Sequence, residues 1–249
     1  MDLKINCNSI ENFMENLYNS NIANEVNNRF PLFAQDLTPI KFWELFKFYF
    51  QKINQKDFLV SKESKCLVFT LIYYFLKNDS FYKSPNLFKN SGSEISLNKG
   101  LIIVGGFGVG KTSILETFSL LIKDISINYE KYPVRFHNAI EIVNSYETSS
   151  SELKNEIINK YSKGFRIFDD IKNEKEASNY GKTDVFKEIL YNRHGAKNFR
   201  TILLCNYDSE LPNDMHQTIE SFIRYGGPNY DRIFETFNFV EFKGKSERK

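Results

Sequence analysis

Leu101-Ile-Ile-Val-Gly105-Gly-Phe-Gly-Val-Gly110-Lys111-Thr112-Ser113 is the stretch whose reading decides the fold. An apolar, β-branched run enters a turn of glycines, and a segment with Ile114, Leu115, Phe118 and Leu121 at helical spacing leaves it. The pattern G-x-x-x-x-G-K-[ST] has Gly105, Gly110, Lys111 and Thr112 at its fixed positions. Glycines let the backbone curl so that several N–H groups converge on phosphate oxygens, and the following helix adds the positive end of its dipole. The whole loop, Gly105, Gly106, Phe107, Gly108, Val109, Gly110, Lys111, Thr112 and Ser113, is therefore the expected cradle of a nucleoside triphosphate. Lys111 is placed to reach the β and γ phosphates, and the Thr112 hydroxyl to ligate Mg²⁺. By chance alone the pattern arises in about one chain of this length in a hundred. A strand leading in and a helix leading out make the match far more specific, and ATP with Mg²⁺ is the expected ligand.

Downstream the pattern alternates. Strand-like runs fall at 101–104, 134–136, 166–169, 201–206 and 237–242, with helical stretches at 111–122, 139–145, 152–161, 184–193 and 215–224. Such alternation implies an α/β fold, a three-layer parallel sheet flanked by helices, with the ligand beyond the carboxyl ends of the strands.

Three further features fall at the ends of those strands. FRIFDDI (165–171) ends on Asp169 and Asp170. Asp169 is the expected carboxylate for Mg²⁺, and Asp170 stands where a water-activating Glu is often found, with a shorter reach. A strand-ending Asp-Asp turn is an equally ordinary reading of the pair alone. TILLCNYD carries Asn206 at the end of its apolar run, where an amide can meet the γ-phosphate or the attacking water. A lone Asn there is more often a turn residue. IRYGGPNYDRIFETFNFVEF carries Arg224 and Arg232. An arginine delivered from a neighbouring subunit can neutralise charge on the γ-phosphate, and Arg232 is the stronger candidate; a surface salt bridge is the alternative for each. Two basic groups, Lys154, Lys160, Lys163 and Arg166, then Arg193, Lys197 and Arg200, could contact nucleic-acid phosphates or be solvated helix faces.

The 249 residues carry a formal charge of +2, which points to no particular partner. Cys7, Cys66 and Cys205 are far apart and form no CxxC pair, so neither a disulfide framework nor a zinc site is expected. No apolar run is long enough to span a bilayer, and the expectation is a cytoplasmic protein with no membrane partner.

Residues 78–100, rich in Asn, Ser, Lys and Gly, read as a connecting loop. It separates the chemistry from a helical region over residues 1–95, a possible site of partner docking. There Ile10, Phe13, Met14, Leu17 and Ile22 recur at helical spacing, Thr38-Pro39 opens a second helix, and a third runs over 61–76. Packing against the rest of the protein is the favoured reading of these apolar stripes.

Together these elements resemble the helicase-loader branch of the AAA+ ATPases, the DnaC-like and IstB-like proteins, over roughly residues 99–249. The resemblance is carried by KGLIIVGGFGVGKTS, FDDIKNE, the NYG of 179–181, EILYNRHG, Asn206 and RYGGPNYDRIFETFNFVEFKGKS. It implies an AAA+ P-loop domain over 96–249, with Lys111 and Thr112 on phosphate and metal, Asp169 as Walker B and Asn206 as sensor 1. It also implies Arg232 as the arginine finger acting in trans. Two departures stand out. Gly227-Pro228-Asn229 lies where many relatives have another arginine, and Lys172-Asn173 replaces the familiar small pair after Walker B. No long helical lid follows the last strand, so sensor 2 has no assignment. The implied function is an ATP-hydrolysing accessory factor of DNA replication that forms homo-oligomers through its nucleotide site and serves a replicative helicase. Single-stranded DNA is a further possible partner. A transposition helper serving a transposase, a small-molecule P-loop kinase and a slow NTP-binding switch are the alternatives.

Overall fold

The computed structural model describes residues 30–89, 93–178, 182–195, 200–208 and 211–246. The stripe from Ile10 to Ile22, Cys7, the NYG of 179–181 and Lys197 lie outside the described residues.

Two helices come first. Helix α1, Pro39–Asn54, starts where the Thr38 hydroxyl accepts from the Lys41 amide, with proline in its first turn where no N–H is missed. It stops at Gln55, which takes a left-handed φ of 54°. Helix α2, Lys62–Phe75, opens on a reciprocal box in which Ser61 and Ser64 each bond the other's backbone N–H. The segment after it is mostly irregular, as its composition predicts, apart from a 3₁₀ turn at Asp79–Lys83 and a two-residue strand β1, Leu87–Phe88.

The alternating part follows as β2, Gly100–Gly105; α3, Lys111–Ile125; β3, Val134–Asn138; α4, Ala139–Thr148; α5, Ser151–Tyr161; and β4, Phe165–Asp169. A small antiparallel pair, β5 (Ala177–Ser178) and β6 (Lys182–Thr183), precedes α6, Val185–Gly195. Then come β7, Thr201–Cys205; α7, Met215–Glu220; a 3₁₀ turn at Ser221–Tyr225; α8, Gly227–Thr236; and β8, Phe237–Phe242. The main sheet has the order β1-β8-β2-β7-β4-β3. Five strands are parallel, as expected, and only the edge strand β1 runs antiparallel, against β8.

Both faces of the sheet are buried, which is why the strands read as unbroken apolar runs. Leu101, Ile103, Ile202, Leu204, Phe165 and Ile167 enter one core, while Ile102, Val104, Leu203, Cys205 and Phe168 enter the other. Helices α1, α2 and α3 cover the first face, and α4 to α8 line the second. The apolar stripes of α1 and α2 are thus packing faces. Phe118 of α3 is fully buried and meets Phe42, Phe46 and Phe75 at ring separations of 5.7, 5.1 and 5.6 Å.

The topology decides where a ligand can sit. From β2 the chain crosses to β3, returns through β4 to β7, then passes β2 to add β8 on its other side. The carboxyl ends of β2, β7 and β4 therefore lie in consecutive positions beside this switch point.

Candidate functional site

Strand β2 ends on Gly105, where a Cβ would stand 2.7 Å from the Phe242 carbonyl oxygen of β8. Only glycine permits that approach. The turn closes on Gly110 at φ +93°, a left-handed conformation that serves as the N-cap of α3 without any side-chain cap. No side chain caps the first turn of α3, and an uncapped helix start is where an anion binds. Val109 is buried beneath the loop, whereas the Phe107 ring is 64% exposed at its rim.

Lys111, at the first position of α3, is buried and turns back over the loop. Its ammonium donates to the carbonyls of Gly105 and Gly106, each at 2.8 Å, and to Asn206 Oδ1 at 2.9 Å. Asn206 follows β7, the strand lying between β2 and β4, and the register of that sheet brings the amide to the lysine. Asp169, at the end of β4, is 3% exposed; it accepts from the Thr112 hydroxyl and, at 2.8 Å, from the Asp170 amide. Burial pushes the Asp169 carboxyl above the usual range, against the opposing hydrogen bonds and the nearby Lys111 charge. Lys111, Thr112, Asp169 and Asn206, four residues from three strand ends, thus form one connected cluster.

Asp170 adopts a left-handed φ of 57°. Its Oδ2 accepts from Asn138 Nδ2 at 3.1 Å, while Asn138 Oδ1 caps α4 by accepting from the Ile140 amide at 2.9 Å. Sequence reasoning missed Asn138. An N-cap residue closing a strand, one strand away from the acidic pair, was the available signal.

A cavity joins these groups. Residues 107–114, Asp169, Asp170 and Asn206 line it, together with Phe50, Lys56 and Phe58. The last three come from α1 and the turn after it, well before the region expected to carry the chemistry. Nothing in the local sequence marks them. Cys205 also touches the cavity, but burial pushes its thiol up to about 11, and Cys66 and Cys205 are both free cysteines.

The two candidate arginines part company. Arg224 lies against the loop that follows β4, donating to the Lys172 carbonyl at 2.6 Å and the Glu174 carbonyl at 3.0 Å, and pairing with the Glu174 carboxylate at 3.5 Å. It belongs to its own subunit's scaffold. Arg232 is exposed on α8, with its guanidinium 5.4 Å from the Tyr191 ring of α6, and does not line the phosphate-loop cavity. The basic groups also divide. Arg166 donates to the Lys163 and Lys160 carbonyls, and buried Arg193 to Thr201 Oγ1 and the carbonyls of Tyr161, Gly164 and Arg200. Both are spent on the protein's own groups, Arg166 also on His137 Nε2 at 3.1 Å.

The donor set suits a magnesium-bound triphosphate. The N–H groups of a glycine loop and an uncapped helix start, with a buried ammonium, can donate to phosphate oxygens, and the Thr112 hydroxyl with the Asp169 carboxylate offers the hard oxygen ligands Mg²⁺ prefers. These features define a mostly parallel α/β sheet flanked by helices, with a glycine-rich turn joining β2 to α3. No protein-family model matches the chain, and no curated protein matches it. Among solved structures it is similar to the DnaC helicase loader, with 18% identity, TM-score 0.48, and coverage of 75% of this chain and 93% of that one. It is also similar to DnaI, with 21% identity, TM-score 0.47, and coverage of 77% and 90%. AMPPCP-bound DnaA from Aquifex aeolicus is a third, at 18% identity and TM-score 0.44; 75% of this chain aligns with 48% of that one, so the chain spans about half its length. The DnaC-like branch named from the sequence is thus among the structures this chain resembles. Among the described residues no helix is long and apolar enough to cross a membrane, and no cluster of His, Cys, Asp and Glu could hold a metal ion by itself.

Proposed function

We propose that this chain is an ATP-binding and ATP-hydrolysing AAA+ accessory factor whose assembly is controlled by nucleotide, acting as a loader for a replicative helicase. The observation that carries the reading is the Lys111–Asn206 bond beside the Thr112–Asp169 pair. Lys111 exchanges its neutral oxygen partners for the β and γ phosphates, and Asn206 is then free to orient the attacking water or the γ-phosphate. Thr112 and Asp169 hold Mg²⁺, which neutralises phosphate charge when bound. Asp170 acts on the water. Arg232, exposed and away from its own loop, reaches the nucleotide of a second copy, so the site is shared between subunits and nucleotide stabilises the homo-oligomer. The helicase docks on residues 1–95 through surface other than the apolar stripes of α1 and α2, which are packed into the core, and single-stranded DNA binds the assembled form.

A second reading, a switch that binds ATP but turns it over slowly, is favoured by the bond that Asn138 makes to the Asp170 carboxylate. Phosphate release measured against protein concentration separates the two. The loader reading expects turnover per subunit to rise with concentration, and Arg232→Ala to abolish that rise. A flat profile with no effect of Arg232→Ala removes the shared site. Phosphate transfer to a small acceptor would replace the reading with a kinase.

A further inference from the structure

The turn after α1 reaches the phosphate loop although it lies about fifty residues upstream in sequence. Two anchors fix it there. On one side, Asn54 donates through Nδ2 to the Phe50 carbonyl at 3.0 Å and to Thr117 Oγ1 of α3 at 3.4 Å. On the other, the Phe58 ring stands edge-on to Trp43, Phe46 and Phe50, with centroids 5.8, 5.1 and 4.9 Å away. Between the anchors the chain reverses through left-handed Gln55, whose side chain caps α1 by donating to the Lys52 carbonyl at 2.8 Å. Lys56 sits at the apex of this pinned reversal. It is exposed, and it lines the same cavity as residues 107–114, Asp169 and Asn206.

A pinned turn restricts where the lysine's flexible stem can reach, and ammonium groups bind phosphate as mobile point charges. We propose that Lys56 is a second phosphate-binding lysine, which folds over the cavity and pairs with the polyphosphate chain from the side opposite Lys111. This rests on the nucleotide reading of the site and extends it to a residue outside the loop. The α1 turn thereby becomes a wall of the nucleotide site.

The test is equilibrium binding of fluorescent ATP, ADP and adenosine to the full chain and to Lys56→Ala, Lys56→Arg and Lys111→Ala. A charge-assisted contact on a partly solvated phosphate predicts that Lys56→Ala weakens ATP about five- to tenfold. The loss with ADP is smaller, adenosine is unchanged, and Lys56→Arg restores most of the ATP affinity. Because Lys56 is exposed, its variants keep the fold, and unchanged thermal melting verifies this. Wild-type ATP affinity in Lys56→Ala, with binding lost in Lys111→Ala, overturns the proposal and leaves the site reading intact. An equal loss for adenosine also overturns it, since the lysine would then not be on the phosphates. If Lys111→Ala binds ATP as the wild type does, the site reading falls and the Lys56 proposal with it.

Discussion

Two buried cations stand at opposite ends of one sheet, and they do opposite things. Lys111 lies at the carboxyl ends of β2, β7 and β4, held by two loop carbonyls and the Asn206 amide, beside a cavity. Arg193 lies at the amino ends, where its guanidinium ties Tyr161, Gly164, Arg200 and Thr201 together through four hydrogen bonds of 2.7 to 2.8 Å. Both bond neutral oxygens, and burial lowers the proton affinity of Arg193. The difference is access. Loop carbonyls and an amide facing a cavity can be exchanged for phosphate, whereas a planar fork sealed among backbone carbonyls cannot be released without leaving those carbonyls bare. A buried charge marks function only where its partners are replaceable.

The sealed end gives the largest expected effect. Arg193→Met strands four acceptors and costs about 4 kcal/mol of stability in chemical denaturation. Arg193→Lys does not restore it, because an ammonium cannot span the same fork. The surviving folded fraction keeps its ATP affinity. A mild loss, under about 1 kcal/mol, would erase the contrast with Lys111. Next comes the open end. Lys111→Ala weakens ATP at least about 100-fold, or about 2.7 kcal/mol, and changes stability by less than about 1 kcal/mol. Isothermal titration and denaturation on the same variant check both halves of the statement.

That contrast also explains what the sequence made legible. The phosphate loop, Asp169 and Asn206 could be read because each sits at the end of an apolar run, and strand direction alone sends it to one edge of the sheet. Arg166 and Arg193 could not be sorted from phosphate-binding arginines, since only tertiary burial decides whether a guanidinium meets a carbonyl or a solvent-borne anion. Asn138, Phe50, Lys56 and Phe58 reach the site through packing between distant segments, which leaves no local period. Edge strand β1 was hidden for another reason: two residues cannot display alternation, and Leu87 and Phe88 read as part of a polar loop.

A third expected effect reverses the usual sign. The Asp169 carboxyl is raised by burial, so the folded chain binds its proton more tightly than the unfolded chain does. Its contribution to stability is full at pH below the ordinary carboxylate value and is lost as pH rises through the raised value. Asp169→Asn therefore melts higher than the wild type at neutral pH without nucleotide, while its Mg²⁺-dependent ATP binding is lost. Scanning calorimetry with and without Mg·ATP measures both. A variant that melts lower would mean that the bond from Thr112 outweighs the cost of burial.

Lys77 extends the comparison to a half-buried cation, with the smallest effect. Its ammonium lies 4.0 Å from the centre of the Phe30 ring and donates to the Leu97 carbonyl, and burial, with Arg200 nearby, lowers its pKa to about 7. The unfolded chain holds that proton up to the ordinary value of 10.5, so between pH 7 and 10.5 it binds more protons than the folded chain. Stability accordingly rises with pH across this window and is reduced as pH falls through 7. Because the group keeps contact with water and with an aromatic face, the swing is about 1 kcal/mol rather than the full shift. Lys77→Met removes the slope, seen by comparing urea midpoints at pH 6.5 and 9.5. An unchanged slope would show that the Phe30 face and the Leu97 carbonyl hold the ammonium charged, placing Lys77 with Arg193 as a locked cation.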